Sequence, residues 1–111
     1  MIFLRGYIAV YKGNDFCELE KFPIKIENMP DKAAYIWEVV TKKEFMGRGI
    51  AKKLLKYVLD KFKDYTLYSC INSNNIPSIA LHEKYGFKKL CEFEQNNDNE
   101  VKKQIIFINK L

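Results

Sequence analysis

Gly47-Arg48-Gly49 stands between an apolar run, Val39-Val40-Thr41, and a segment in which Ile50, Leu54 and Val58 recur every four residues. Ala51, Leu55, Leu59 and Phe62 form an adjacent row, while Lys52, Lys53, Lys56, Asp60 and Lys63 point elsewhere, so the segment reads as an amphipathic helix. Glycines at such a junction permit a tight backbone that a side chain would obstruct, at the place where the first helical amides have no internal partner. Those amides, the positive end of the helix dipole and the Arg48 guanidinium together make an anion site suited to phosphate or pyrophosphate. Short glycine motifs also occur as plain strand-to-helix turns, and the spacing by itself leaves both readings open. A second polar constellation comes later in the chain. Asn75, Ser78, His82 and Tyr85 are spaced three or four apart and share one face of a second helix.

The elements that must position these residues can be read in order. Ile2 to Tyr11 is apolar and aromatic and ends at the turn signal Gly13-Asn14-Asp15, which predicts a first strand. Phe16 to Glu27 alternates apolar and charged residues, which predicts a half-buried antiparallel strand interrupted at Pro23. Ala33 to Thr41 is a third strand, and Tyr35 to Val40 is apolar enough to be central in a sheet. The glycine turn and its helix follow, ending near Lys63-Asp64. Thr66 to Ile71 is a short buried strand, parallel to the strand before the helix through a right-handed crossover. The polar loop Asn72 to Pro77 leads to a helix from Pro77 to Tyr85 that stops at Gly86. Phe87 to Phe93 and Val101 to Leu111 are two further strands around the polar hairpin loop Gln95 to Glu100. The expectation is one mixed α/β (α+β) domain over residues 1–111, a twisted and mostly antiparallel sheet with one central parallel pair and flanking helices.

Composition narrows the classes. A chain of 111 residues with 48% hydrophobic content can bury one core. No stretch approaches the ~18 apolar residues of a membrane span, and the N-terminus, with Arg5 and no small-residue cleavage site, reads as structure rather than as a signal peptide. Cys17, Cys70 and Cys91 are odd in number and scattered, which argues for reduced thiols in a cytoplasmic protein and against a disulfide framework or a metal site. Net charge is +5; residues 42–63 alone carry +6, with eight basic groups against two acidic ones, and the rest of the chain carries −1. Basicity therefore gathers around the proposed anion site, as a polyanionic ligand would require. The same lysine face would suit a basic nucleic-acid-binding domain. A P-loop nucleotidase is disfavoured because no Gly-Lys-Ser/Thr follows the glycines.

The two constellations together resemble the GNAT N-acetyltransferases. Thr41-Lys42-Lys43-Glu44-Phe45-Met46-Gly47-Arg48-Gly49-Ile50-Ala51 is similar to the family's acyl-CoA motif, Gln/Arg-x-x-Gly-x-Gly/Ala, with Gly49 and Ala51 in the last two places and Met46 in the first. Asn75, Leu81, Glu83, Lys84, Gly86 and Phe87 match the family's Asn-x-x-Ala-x-x-Leu-Tyr-Glu-Lys-x-Gly-Phe helix, with His82 where a tyrosine often serves as general acid. The resemblance covers residues 33–94 and extends to the flanking strands. The chain then starts at the family's second strand, without the first strand and the helices that help form the acceptor pocket. That would leave an apolar surface that a second subunit of a homodimer could cover.

This resemblance implies acetyl-CoA as cofactor and a primary amine as acceptor. The pantetheine arm would add to the strand at Val39, Val40 and Thr41, and the pyrophosphate would sit on the amides of Gly47 to Ala51, with Met46 and Arg48 also on the cofactor. Asn75 and Ser78 would face the cofactor. The Val40 amide would stabilise the oxyanion formed when the amine attacks the thioester, His82 would protonate the departing thiolate, and Glu38 would take the amine's proton. The alternatives are an acyl-CoA-binding module that has lost catalysis and, further off, the nucleic-acid-binding domain.

Overall fold

The computed structural model describes residues 5–18, 22, 25–97 and 99–110, with the backbone alone described at 97. Its elements are β1 (Gly6–Lys12), a 3-10 turn (Phe16–Glu18), β2 (Ala33–Thr41), a second 3-10 turn (Lys43–Phe45), α1 (Ile50–Lys61), β3 (Thr66–Asn72), α2 (Ile76–Lys84), β4 (Lys88–Asn97) and β5 (Glu100–Asn109). The five strands form one sheet in the order β1-β2-β3-β5-β4. β2 and β3 are parallel, and the other three pairings are antiparallel. The expected mixed sheet, its parallel pair and its two helices are all present.

Both helices pack on one face of the sheet. Leu55 and Val58 of α1 are buried against Ala34, Ile36, Leu67, Ile71, Ile105 and Phe107, and Ile79 and Leu81 of α2 pack against the same core. The sheet-facing stripe of α1 thus joins Val58 of the four-residue recurrence to Leu55, Leu59 and Phe62 of the adjacent row. The opposite face carries a second core of Phe16, Ala33, Tyr68 and Ile106.

Phe16 explains why the expected strand at Phe16 to Glu27 is not found. Its ring lies 5.1 Å from each of Phe22, Tyr35 and Tyr68, and the residue is fully buried. A 3-10 turn, closed by the Glu18 amide donating to the Asp15 carbonyl, drops that ring onto the sheet face. Alternating apolar residues suit a segment draped over a sheet as well as a strand within one, and here draping wins. Among the described residues 16–18, 22 and 25–27 there is no strand. Pro23, and the start of the first expected strand at residues 2–4, lie outside the described residues.

Two features of β2 shape everything built on it. Its ladder with β1 passes from Ala9↔Glu38 to Val10↔Ile36, leaving Trp37 as an extra residue in a bulge. The bulge shifts the alternation by one. Ala34 and Ile36 face the helices before it, and Val39 faces them after it, while Glu38 and Val40 take the other face with Ala9 and Tyr7. The second feature is on the β3 side, where the parallel register runs from Ala33↔Thr66 to Ile36↔Ser69 and stops. Beyond Ile36 the two strands part, and the backbone of Trp37 to Thr41 on that side has no strand beside it among the described residues.

The β4-β5 hairpin is longer than its polar sequence suggested. Pairing continues to Asn97↔Glu100, with Asn99 at a positive φ of 69°, so Gln95 and Asn96 belong to the strand.

Candidate active site

The groove lies where the parallel strands part, on the helix face of the sheet. It has a volume of about 560 Å³ and is walled by β2 at Val39 and Thr41, by the turn at Phe45, Met46, Gly47 and Gly49, and by the first turns of both helices.

The turn is built as an anion cradle. Gly47 and Gly49 have φ of 81° and 76°, in the left-handed region that favours glycine. A Cβ added at either would meet nothing within 4 Å, so the space above both glycines is open to a ligand. The first helical hydrogen bond of α1 runs from the Lys53 amide to the Gly49 carbonyl, at 3.0 Å. Among the described residues, the amides of residues 47–52 make no backbone hydrogen bond, and no side chain caps the helix. Gly47, Gly49, Ile50, Ala51 and Lys52 line the groove, so these unpaired amides stand at its wall with the positive end of α1. Lys52 adds a cation to the wall.

Helix α2 closes the other side. Asn75 caps it by accepting from the Ser78 amide at 3.3 Å, and Pro77 occupies its first turn, where a missing amide costs nothing. Asn75 and Ser78 both line the groove. His82 lies one turn further along, is only 2% exposed, and bridges α2 to β3. Its Nδ1 lies 2.8 Å from the Ser78 carbonyl oxygen, which can only accept, so the ring proton is on Nδ1. Nε2 is then the acceptor for the Ser69 hydroxyl, at 3.1 Å. Burial lowers the pKa of the ring, partly opposed by the bond to Ser78, and the imidazole is neutral with both nitrogens engaged.

Of the site residues read from the sequence, Val39, Thr41, Met46, Gly47, Gly49, Ile50, Ala51, Asn75, Ser78 and His82 come together around this groove. Val40, Glu38 and Arg48 do not line it. Val40 pairs with Tyr7 and, past the bulge, points to the far face of the sheet. Glu38 is exposed on that far face, where its carboxylate lies near enough to Tyr7 to raise the phenol's pKa above the ordinary value. The Arg48 guanidinium leaves the groove to stack on Phe45, with its central carbon 5.3 Å from the ring centroid. The sequence reading passed over Phe45, Leu55, Pro77 and Leu81, which also line the groove. Phe45 had a signal, as the one aromatic residue in an otherwise charged loop beside the glycines. Leu55 and Leu81 had none, since helical spacing marks them equally as core. Among the described residues, no group of three His, Cys, Asp or Glu could hold a metal ion.

The fit to acetyl-CoA rests on these features: unpartnered strand backbone for a pantetheine arm, open glycine amides for a pyrophosphate, and an apolar wall between them. Comparison with known proteins agrees. Residues 4–87 match the acetyltransferase (GNAT) family. A spermine/spermidine N(1)-acetyltransferase of Bacillus subtilis is 25% identical over 101 residues, which cover 86% of this chain and 66% of that protein. An S-alkylcysteine N-acetyltransferase of the same organism is 29% identical over 87 residues, covering 73% of this chain and 48% of its own length. The crystal structure of the NatC complex bound to Gag peptide and CoA shares the fold, with a TM-score of 0.74 at 21% identity over 96% of this chain and 61% of that one. The chain thus spans about half to two thirds of the length of these proteins. With the family matched over most of its length and the family's cofactor groove built from the residues that carry the match, the chain belongs to the GNAT acetyltransferases.

Proposed function

We propose that this chain is an acetyl-CoA-dependent N-acetyltransferase that passes the acetyl group directly to a primary amine. The observation that carries the reading is the continuity of one groove from the parted β2-β3 pair to the open amides of the Gly47-Arg48-Gly49 turn. Acetyl-CoA, when bound, supplies the activated thioester. The amides of Gly47 to Ala51 hold its pyrophosphate, the Met46 amide being spent on the Lys43 carbonyl. The edge of β2 from Val39 to Thr41 takes the pantetheine arm by backbone hydrogen bonding, and Val39, Leu55 and Leu81 keep that arm dry.

The amine approaches from the far face of the sheet, through the gap beyond Ile36 and Ser69. Glu38 lies on that face, exposed beside Tyr7, and is placed to accept a proton from an incoming ammonium group. Because Lys42 donates to Arg5, the alternation of the ladder commits the Val40 amide to Tyr7 on β1, and the amides of Val39 and Thr41, on the open side of β2, are the donors for the oxyanion that develops as the nitrogen attacks. Relatives with names that specify spermine, spermidine and S-alkylcysteine support a small amine as acceptor.

His82 is better read as a positioning residue than as the donor of the thiolate's proton. Its one N–H is spent on the Ser78 carbonyl, and its other nitrogen accepts from Ser69. The Ser78 hydroxyl, 3.5 Å from Nδ1 at the groove wall, remains able to donate to the departing sulfur.

Calorimetric titration with acetyl-CoA tests the binding half of the proposal. The wild type should bind, and Gly49→Asp should not, because its carboxylate would occupy the phosphate position. A Cβ at Gly49 would meet nothing within 4 Å, and the strain of a non-glycine residue at this φ is on the order of 1–3 kcal/mol. A folded Gly49→Asp protein that binds acetyl-CoA as tightly as the wild type would refute the placement.

A further inference from the structure

Phe45 carries two guanidinium groups. Arg48, from the glycine turn, lies 5.3 Å from the ring centroid, and Arg5, from the residue preceding β1, lies 5.2 Å from the same centroid. Arg5 is held in place by its backbone, where its carbonyl accepts from the Lys42 amide at 2.7 Å, just past the end of β2. Both arginines are exposed, and among the described residues neither takes part in an ion pair. Glu44, the single carboxylate of this turn, is exposed and makes none either.

Two like charges gathered on one ring repel, and the attraction of each to the ring offsets this only in part. A phenyl ring offers no hydrogen-bonding oxygen, so a guanidinium held over it keeps its N–H donors free, and that planar fork matches the oxygens of a phosphate monoester. Phe45 is itself part of the groove wall, so the forks stand at the rim of the cofactor groove. With the pyrophosphate on the glycine amides and the thioester end leading between β2 and β3, the nucleotide end of coenzyme A must leave the groove on the turn side. It carries one more phosphate, a dianionic monoester on the ribose 3′ oxygen.

We propose that Arg5 and Arg48, spread on Phe45, form the subsite for the ribose 3′-phosphate of coenzyme A, which makes Arg5 a cofactor-selecting residue. The inference rests on the placement of acetyl-CoA argued above, and it goes further by separating the two phosphate sites. Pyrophosphate recognition belongs to backbone amides, and monoester recognition to two side chains at one end of the β1-β2 ladder, Arg5 just before β1 and Arg48 in the turn after β2.

Calorimetric titration of coenzyme A and of dephospho-coenzyme A, which lacks only the 3′-phosphate, separates the possibilities. The wild type should favour coenzyme A by about tenfold or more, the scale of a charge-assisted hydrogen-bonded pair. Arg5→Ala should lose most of that preference by weakening coenzyme A alone, with dephospho-coenzyme A affinity kept within about twofold. Phe45→Leu, which keeps an apolar wall but removes the ring face, should lose part of the preference. Arg5→Ala weakening both ligands equally would put Arg5 on the pyrophosphate and overturn the proposal, as would Arg5→Ala weakening neither. A wild type that binds both ligands equally well would overturn the subsite while leaving the groove assignment standing. A wild type that binds neither would overturn the groove assignment and the subsite with it.

Discussion

His82 shares a face with Asn75 and Ser78, but its burial and its two hydrogen bonds favour a positioning role over the proton donation that its helical place suggests. The spacing that put it on one face with Asn75 and Ser78 holds, since all three reach the groove. What spacing could not carry is the ring's depth, 2% exposed, and the occupation of both nitrogens by Ser78 and Ser69. A buried imidazole with a lowered pKa is a pH-dependent stabilising element, and the sign follows from proton counting. As pH falls through about 6.5 the unfolded chain's histidine takes up a proton, while the folded one resists until a lower pH. Folding stability should therefore decline below pH 6.5, and the decline ends only once pH has passed the lowered folded value. Urea denaturation of wild type and His82→Gln at pH 7.5 and 5.5 checks this, and the variant should lose less stability between the two. In kinetics, His82→Ala should cut turnover mostly through a less ordered Ser78. His82→Gln, whose amide can replace one of the two bonds, should recover part of the rate. A rate loss of about 100-fold in both variants, with folding intact, would return His82 to the role of proton donor.

At the scale of elements, α1, β3, α2 and the parallel pair were legible because periodicity, capping residues and glycine stops agreed with one another. Phe16 to Glu27 was not, because a period of two records which residues face an apolar surface and not whether a neighbouring strand supplies hydrogen bonds. The single ring of Phe16, fully buried among three aromatic partners, fastens this segment to the sheet. Phe16→Ala should cost about 3–5 kcal/mol in urea denaturation, the usual range for emptying such a site, while Phe16→Leu should cost much less. A loss below about 1 kcal/mol for alanine would mean that the segment is not anchored there. The bulge at Trp37 was equally hidden. It is one extra residue with no signature in the apolar run Tyr35 to Val40, yet it decides that Val39 enters the groove and Glu38 faces away. Deleting Trp37 would restore simple alternation and exchange those two residues. Acetyl-CoA binding should then be lost even where circular dichroism shows the sheet retained.

Across the whole molecule, charge, cleft and sheet opening coincide. The +6 carried by residues 42–63 surrounds the groove that ends at the parted strands, and the far face of that opening offers Glu38 beside Tyr7. Among the described residues, no helix is long and apolar enough to cross a membrane. The lysine face of α1 also allows loose contact with nucleic acid, but such binding should fade steeply as salt approaches physiological strength. The groove reading makes a stricter demand, that cofactor and amine meet through the sheet. Glu38→Gln should accordingly lower turnover at neutral pH by about tenfold or more with acetyl-CoA affinity unchanged, and a more alkaline buffer, which deprotonates the amine in solution, should narrow the gap. The most direct measurement is release of free coenzyme A from acetyl-CoA by the purified chain, with and without spermidine, with the amine product identified by mass spectrometry. Acetyl transfer predicts coenzyme A release that depends on the amine, a product heavier by one acetyl group, and loss of both in Gly49→Asp. Tight binding of acetyl-CoA with no acetylated amine across a panel of small primary amines would contradict it, and would leave a cofactor-binding module in place of an enzyme.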